Sequence, residues 1–371
     1  MQRRRLKAKN KRKTATRLVL VVVAVLLIIG AAVGLVLAFG GKKTLKASEQ
    51  LPFSAEATRL FTGSGFMYIA DGKLNYLDLN DESKNLSLSV STADVRLSAS
   101  KTVYALYNSS AVQIVGVNLP IEFSGTVQSV KCGATHVAVY RLDASGNGAI
   151  QVFNAKGERT NNDIDLSTVT LINYGFRSGD DDTLWTLTLD TESSTPVHTL
   201  TTYDLAKSTT TGVITISGEL AETVSFTGES VFAVCTGNLL RFNRTGNAQA
   251  YRVVVYGYKL IDKSFSGSRP LFLFVPRDSA ALNSVMLLGV DEGDVASERR
   301  VFVRLPQNAL TAIVANGKLL VYCTDAVYTY SEKGTLLSTV TFETPIDEAV
   351  KLNDSYILLK RGSTLYLAAI S

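Results

Sequence analysis

From about residue 53 onward, pairs of short apolar segments joined by turn residues recur at a mean spacing of about 41 residues. The first segments of the pairs are centred near Tyr68, Tyr104, Val139, Trp185, Ala233, Leu273, Val321 and Leu358, which makes eight units. In the clearest pairs, Phe66 to Ala70 is joined to Lys73 to Leu79 by Asp71-Gly72, Val231 to Thr236 to Leu239 to Asn243 by Gly237-Asn238, and Tyr356 to Lys360 to Ser363 to Ile370 by Arg361-Gly362. Turns of this kind favour Gly and Asn because their central residues need positive φ, which ordinary side chains resist. No long helical period interrupts the series, so these residues must fold as strands.

A second signature follows several pairs: an aromatic, a small polar residue, then Gly three positions on. It reads Phe153-Asn154-Ala155-Lys156-Gly157, Phe242-Asn243-Arg244-Thr245-Gly246 and Tyr330-Ser331-Glu332-Lys333-Gly334, with partial copies at Tyr203-Asp204 and at Leu77-Asp78. One small sheet cannot bury both of its faces, whereas a ring of such sheets can, so an all-strand period near 40 residues points to a β-propeller with one four-stranded blade per period. The fold class read here is all-β, a propeller of seven or eight four-stranded blades with eight preferred, preceded by one N-terminal transmembrane helix. A pair of β-sandwiches is the architectural rival. Over residues 53–371 the chain resembles uncharacterised bacterial membrane-anchored propeller proteins, and its repeat style is similar to quinone-type and WD-type propellers. The resemblance implies a fold and no site residue: the chain has a single Trp, Trp185, and lacks the Trp-Asp pair. The eighth unit ends after three strands, so part of Leu45 to Ser54 is expected to supply its outer strand.

The N-terminal region is of another kind. Leu18 to Phe39 is 22 residues without a polar side chain; as a helix it is roughly 33 Å long, enough for a hydrocarbon core of about 30 Å. The chain carries 38 basic and 33 acidic residues for a net +5. Nine of the bases (Arg3, Arg4, Arg5, Lys7, Lys9, Lys11, Arg12, Lys13, Arg17) precede the run with no acid among them, which leaves residues 42–371 mildly acidic. Charge so distributed excludes a broadly basic nucleic-acid-binding body. It fits insertion with the N-terminus cytoplasmic, and Lys42, Lys43 and Lys46 follow on the far side. The domains read as a basic tail over 1–17, a transmembrane helix over 18–39, a linker or closing strand over 40–52 and an extracytoplasmic propeller over 53–371. The tail is expected to attract anionic lipid headgroups. A cleaved signal ending at Gly30-Ala31-Ala32 or Val36-Leu37-Ala38 is the alternative. Gly30 and Gly34 have the small-residue spacing of helix pairing.

Catalytic constellations are scarce. Cys132, Cys235 and Cys323 lie in strand contexts, with Cys235 and Cys323 at like places in non-neighbouring units, and read as buried free thiols. His136 and His198 stand alone and read as structural. Asp143-Ala144-Ser145-Gly146-Asn147-Gly148 has the outline of a calcium loop, but Gln151 and Asn154 stand where later ligands belong, so a plain hairpin loop is expected. Asp262-Lys263-Ser264-Phe265-Ser266-Gly267 is a weaker version of the same outline. Asp180-Asp181-Asp182 reads as a solvated loop. Tyr251, Tyr256 and Tyr258 read as cross-strand packing, with a binding surface as the alternative. No catalytic, cofactor-binding or metal residue is assigned, and no cofactor. The function expected is a binding or scaffold module in the cell envelope with a protein partner and no nucleic acid. The rival is an extracytoplasmic propeller enzyme, carbohydrate-active or quinone-dependent, with its site in the central channel.

Overall fold

The computed structural model describes residues 44–45, 49–90, 94–178, 181–192, 194–243, 249–293 and 297–370. The basic tail and the apolar run Leu18 to Phe39 lie outside them. Among the described residues no helix is long and apolar enough to cross a membrane.

Among the described residues the strands form eight sheets, seven of four strands and one of five, each built on a four-stranded antiparallel blade. The segments centred on Tyr68 through Leu358 are the second strands of these blades. Blade 1, for example, runs Arg59–Phe61, Gly65–Ala70, Lys73–Asp78, Leu86–Ser89. The first strands of neighbouring blades pack on one another, as Tyr258–Ser264, Ala309–Ala315 and Glu348–Lys351 do in blades 6, 7 and 8, so they form the inner wall of the ring. Because each meander alternates direction, the turns divide between two faces. The turn between second and third strands and the link to the next blade lie on one, here called upper. The other two turns of each blade lie on the lower face.

Blade 8 supplies only three strands from its own end of the chain, Glu348–Lys351, Tyr356–Arg361 and Thr364–Ala369. Its outer strand is Glu49–Ser54, paired antiparallel to Thr364–Ala369 through Glu49 with Leu367 and Ser54 with Thr364. The propeller therefore begins before residue 53. Blade 7 also gains a fifth strand, Thr44–Leu45, parallel to Leu336–Phe342.

The core is divided among the gaps between blades. Eight apolar clusters occupy the eight interfaces: Trp185, Leu187, Leu200, Val224 and Ala233 lie between blades 4 and 5, and Phe232, Val253, Phe272 and Met286 between 5 and 6. The last interface decides closure. There Leu51 and Phe53 of the N-terminal strand join Leu358, Leu365 and Leu367 of blade 8 to Phe66 of blade 1. The Phe53 ring lies 5.4 Å from Phe66 and 4.4 Å from Tyr68, centre to centre. Alternation along Glu49–Ser54 places Leu51 and Phe53 inward and their neighbours outward.

The aromatic–polar–Gly signature is the lower turn between third and fourth strands. Asn154 Oδ1 accepts from the backbone N–H of Lys156 at 2.9 Å and of Glu158 at 3.0 Å. Ser331 Oγ does the same for Lys333 and Thr335, and Asp78 Oδ1 for Asn80 and Asp81. Gly334 sits at φ +78°, and a Cβ there would also come within 2.5 Å of Val301 in the preceding blade, so the position excludes a side chain twice over. In the third copy, Arg244 to Gly246 lie outside the described residues. The Asp71-Gly72 turn has both residues at positive φ as expected, whereas Gly237 and Asn238 do not: Asn238 already belongs to the third strand, Asn238–Asn243. One regularity has no counterpart in the composition pattern. The first strands of blades 3 to 7 each carry a bulge, at Gln128, Ile172, Glu222, Ile261 and Leu310, which turns an extra residue out of the ladder along the inner wall.

If the closing interface holds the ring, Phe53→Ala should lower the unfolding free energy by roughly 3 kcal/mol, within the range for buried Phe truncation. Urea unfolding followed by circular dichroism measures this; a loss no larger than a surface substitution gives would show that the strand contributes little.

Candidate functional site

Two groups of residues stand out as more than packing. The first lies on the inner wall of blades 6 to 8. Lys351, next to the lower end of its strand, sends its ammonium group among five oxygens. They are Asp262 Oδ1 at 3.2 Å and Oδ2 at 3.0 Å, Asp354 Oδ1 at 2.8 Å, and the carbonyls of Lys263 at 3.0 Å and Val314 at 2.6 Å. Asp262 Oδ2 also accepts from Val314 N–H at 2.8 Å, and Asp354 Oδ2 from Ser264 Oγ at 2.8 Å. One cation thus ties three blades together.

Burial pushes the Asp262 carboxyl above its usual range, against the pull of Lys351 and of the Val314 N–H. Asp354 is also penalised by burial, but bonds from Lys351, Ser266 and Ser264 outweigh this and hold it below the carboxylate range. Burial lowers the neighbouring Lys263, whose ammonium reaches Ser225 of blade 5. A cleft of about 460 Å³ extends from Asp262 and Lys351 toward the upper face, walled by Ile261 and Val350 and rimmed by Ser279 to Leu282. A larger recess of about 570 Å³ lies between blades 1 and 2; its Gln113 amide already donates to Ile114 and Val117 carbonyls.

The second group is on the upper face of blade 5. Tyr256, in the link to blade 6, is 79% exposed, and Leu220, in the link from blade 4, is 50% exposed. Backbone bonds from Thr236 N to Leu220 O at 2.9 Å and from Val255 N to Gly237 O at 2.8 Å hold both links against the intervening turn. A Cβ at Gly237 would stand in ordinary contact, 4.0 Å from the Tyr256 ring and 3.7 Å from Glu219. Ion pairs border the patch. Arg252 Nη2 lies 2.9 Å from Glu219 Oε1 and its Nε donates to Asn238 Oδ1 at 2.9 Å, while Arg277 of blade 6 pairs with Glu222 of blade 5. The upper face of blade 5 thus carries an exposed aromatic and an exposed Leu with Arg–Glu ion pairs nearby.

The remaining candidates divide as follows. All three Cys are buried, unpaired thiols, and burial pushes Cys132 and Cys235 up to about 12 and Cys323 to about 11, so none is a ready nucleophile. Asp143 caps its own hairpin, accepting from Ser145 N at 2.8 Å, Asn147 N at 2.9 Å and Asn147 Nδ2 at 3.1 Å. Among the described residues, no cluster of His, Cys, Asp and Glu has the makings of a metal site.

Three readings change. The acidic run is not simply solvated, because Asp182 accepts from Thr135 N at 2.9 Å and lies 3.3 Å from His136 Nδ1, joining blade 4 to blade 3. Asp180 is outside the described residues. Tyr256 and Tyr258 do not share a strand face: Tyr258 packs in the core between blades 5 and 6, whereas Tyr256 projects from a turn. Of Asp262, Ser264 and Ser266, weighed as a cation loop, Asp262 instead binds the protein's own ammonium at Lys351, while Ser264 bonds Asp354 and Ser266 lies within hydrogen-bond distance of Ser264. Nothing in the local sequence pairs Lys351 with Asp262, 89 residues away; only knowledge that first strands of successive blades adjoin would have found it.

No family model matches the chain, and no curated protein matches it. Solved structures do. The chain is similar to the WD40 domain of SCAP from fission yeast at 10% identity and a TM-score of 0.57, covering 86% of this chain and 97% of that one. It is similar to a eukaryotic initiation factor at 10% identity and 0.53, covering 87% and 88%, and to the Dos1 propeller at 10% and 0.51, covering 88% and 95%. The fold is a WD40-like β-propeller of eight four-stranded blades. At this identity the likeness is one of fold alone.

Two stability experiments follow. Lys351→Met leaves two part-buried carboxylates without their cation and should cost about 3 kcal/mol, as breaking a buried pair does; an unchanged urea midpoint would contradict the three-blade tie. His198, in the third strand of blade 4, is 2% exposed and neither ring nitrogen has a hydrogen-bond partner within the protein. Burial lowers its pKa, so the folded chain resists a proton that the unfolded chain takes up near pH 6.5. Its stability contribution is therefore complete above about pH 6.5 and declines as pH falls below it. His198→Leu should shrink the drop in melting temperature between pH 7.5 and 5.5; an equal drop in both proteins would refute the assignment.

Proposed function

We propose that the chain is a single-pass, membrane-anchored β-propeller that presents a protein-binding surface on the extracytoplasmic side of the cell membrane. The observation that carries the binding reading is the Tyr256–Leu220 surface: large apolar side chains held exposed by well-bonded turns, within a fold that is typically a binding or scaffold module. The anchor rests on the 22 apolar residues Leu18 to Phe39, and the N-in orientation on the nine preceding bases. The tail contributes attraction to anionic headgroups, and the partner is an envelope protein. The channel-enzyme reading would need inward-facing acids free to exchange protons with a substrate; here the convergent acids Asp262 and Asp354 are bound to Lys351.

The test uses the full chain in cells, with a photo-crosslinking amino acid at position 256. A discrete protein adduct that disappears on Leu220→Asp supports the surface. Absence of any adduct, or an adduct indifferent to Leu220→Asp, counts against it. Removal of residues 18–39 should shift the protein from the membrane to the soluble fraction; retention in membranes would refute the anchor.

A further inference from the structure

The inner wall of the ring is basic, although residues 42–371 as a whole are mildly acidic. The eight first strands carry Arg59, Arg96, Lys131, Lys259, Lys263 and Lys351 against Glu222, Asp262 and Glu348. Some of these charges are answered within the protein: Lys351 by Asp262 and Asp354, and Glu222 by Arg277. Lys263 lies beside the first group and reaches Ser225. Arg59 and Arg96 donate only to backbone carbonyls, of Ala55 and Ala57 and of Gln128 and Val127. Lys131 and Lys259 are exposed and form no ion pair among the described residues. Unanswered positive charge on a concave wall draws anions toward it.

Lys259 stands in a particular setting. It is on the rim of the cleft of about 460 Å³ between blades 6, 7 and 8, where Ile261, Ile313 and Val350 form walls and Asp262 and Lys351 the floor. Because the floor charges are paired with each other, Lys259 is the one lining residue whose charge is unanswered. Ile261 and Val350 are 38% and 42% exposed, large apolar side chains left open on the innermost strands. The bulge at Ile261 is what turns that residue out of the ladder. An apolar hollow of this size with one placed charge has the composition of a small-ligand site. The single ammonium suits a monoanion, since a phosphoryl group, with three oxygens to satisfy, calls for several donors.

We infer that this cleft binds a carboxylate carried on an aliphatic chain, with the carboxylate at Lys259 and the chain against Ile261, Ile313 and Val350. The site is separate from the Tyr256–Leu220 surface and does not depend on the membrane anchor, so its failure leaves both of those readings standing.

The test is isothermal titration calorimetry on the full-length chain in lipid nanodiscs, with empty nanodiscs titrated as the blank. Hexanoate is the probe, and hexanol and acetate carry its chain and its head separately. The account expects hexanoate to bind, and to bind more tightly than either. Lys259→Met keeps the aliphatic stem and removes the charge. It should weaken hexanoate roughly tenfold or more, as loss of a charged hydrogen bond does, and leave hexanol unchanged. Lys131→Met, at the lower end of the first strand of blade 3, should leave hexanoate unchanged. Both lysines are exposed, so each variant should keep the urea midpoint of the parent. No hexanoate binding, equal binding of acetate or hexanol, or insensitivity to Lys259→Met overturns the inference. Equal weakening by Lys131→Met assigns the effect to the general charge of the wall and overturns it as well.

Discussion

Everything in this protein depends on each small sheet finding apolar cover on both sides. A four-stranded blade of about 40 residues has two faces and too little mass to bury either alone. The ring solves this by giving every face a neighbour, and the eight clusters between blades are the physical record of that solution. A ring has no use for a free edge between its last and first blades. The insertion of Glu49–Ser54 beside Thr364–Ala369 removes it, and it does so with residues separated by nearly the whole chain. Leu51 and Phe53 are the two side chains through which that long-range contact becomes burial.

Polar ties reinforce the apolar seams unevenly. Blades 5 to 8 are linked near the lower face by Arg241 to the carbonyl of Asp291 at 2.7 Å, by Arg269 and Arg299 to Glu332, and by the Lys351 cluster. Blades 3 and 4 meet through Thr135 and Asp182. Buried charges of this kind add little net stability but fix which residues stand opposite which. They fall largely on lower-face turns and on the first strands of blades 6 and 8. The exposed Tyr256 and Leu220, by contrast, stand on the upper links, away from these ties.

The period, the blade count and the signature turns were legible in the sequence because they are local: Asp71-Gly72 needs positive φ, Asn154 and Ser331 cap turns three or four residues long, and Gly334 must lack a Cβ. Two classes of feature were not. The bulges at Gln128, Ile172, Glu222, Ile261 and Leu310 leave no compositional mark, since an extra residue in a strand looks like any other residue. Contacts between blades were equally hidden, because Lys351 with Asp262 and Asp182 with Thr135 join residues whose neighbourhood exists only once the ring has closed. The same holds for Tyr256: its place in an alternating aromatic run suggested packing, and only the position of the link between blades makes it exposed.

The basic surplus of the chain is concentrated in nine N-terminal residues, while the propeller side is mildly acidic; the function proposed above gives insertion and recognition to separate parts of the molecule. The claim on which both rest is that the ring closes as one cooperative body. Native-state hydrogen exchange tests it most directly. If closure is as described, the amides of Gln50, Leu365 and Leu367 exchange only through the same global opening as Phe232 and Val234 in blade 5, with a common free energy and a common denaturant dependence. Exchange of the blade 8 amides through a smaller, separate opening, while blade 5 stays protected, would contradict it.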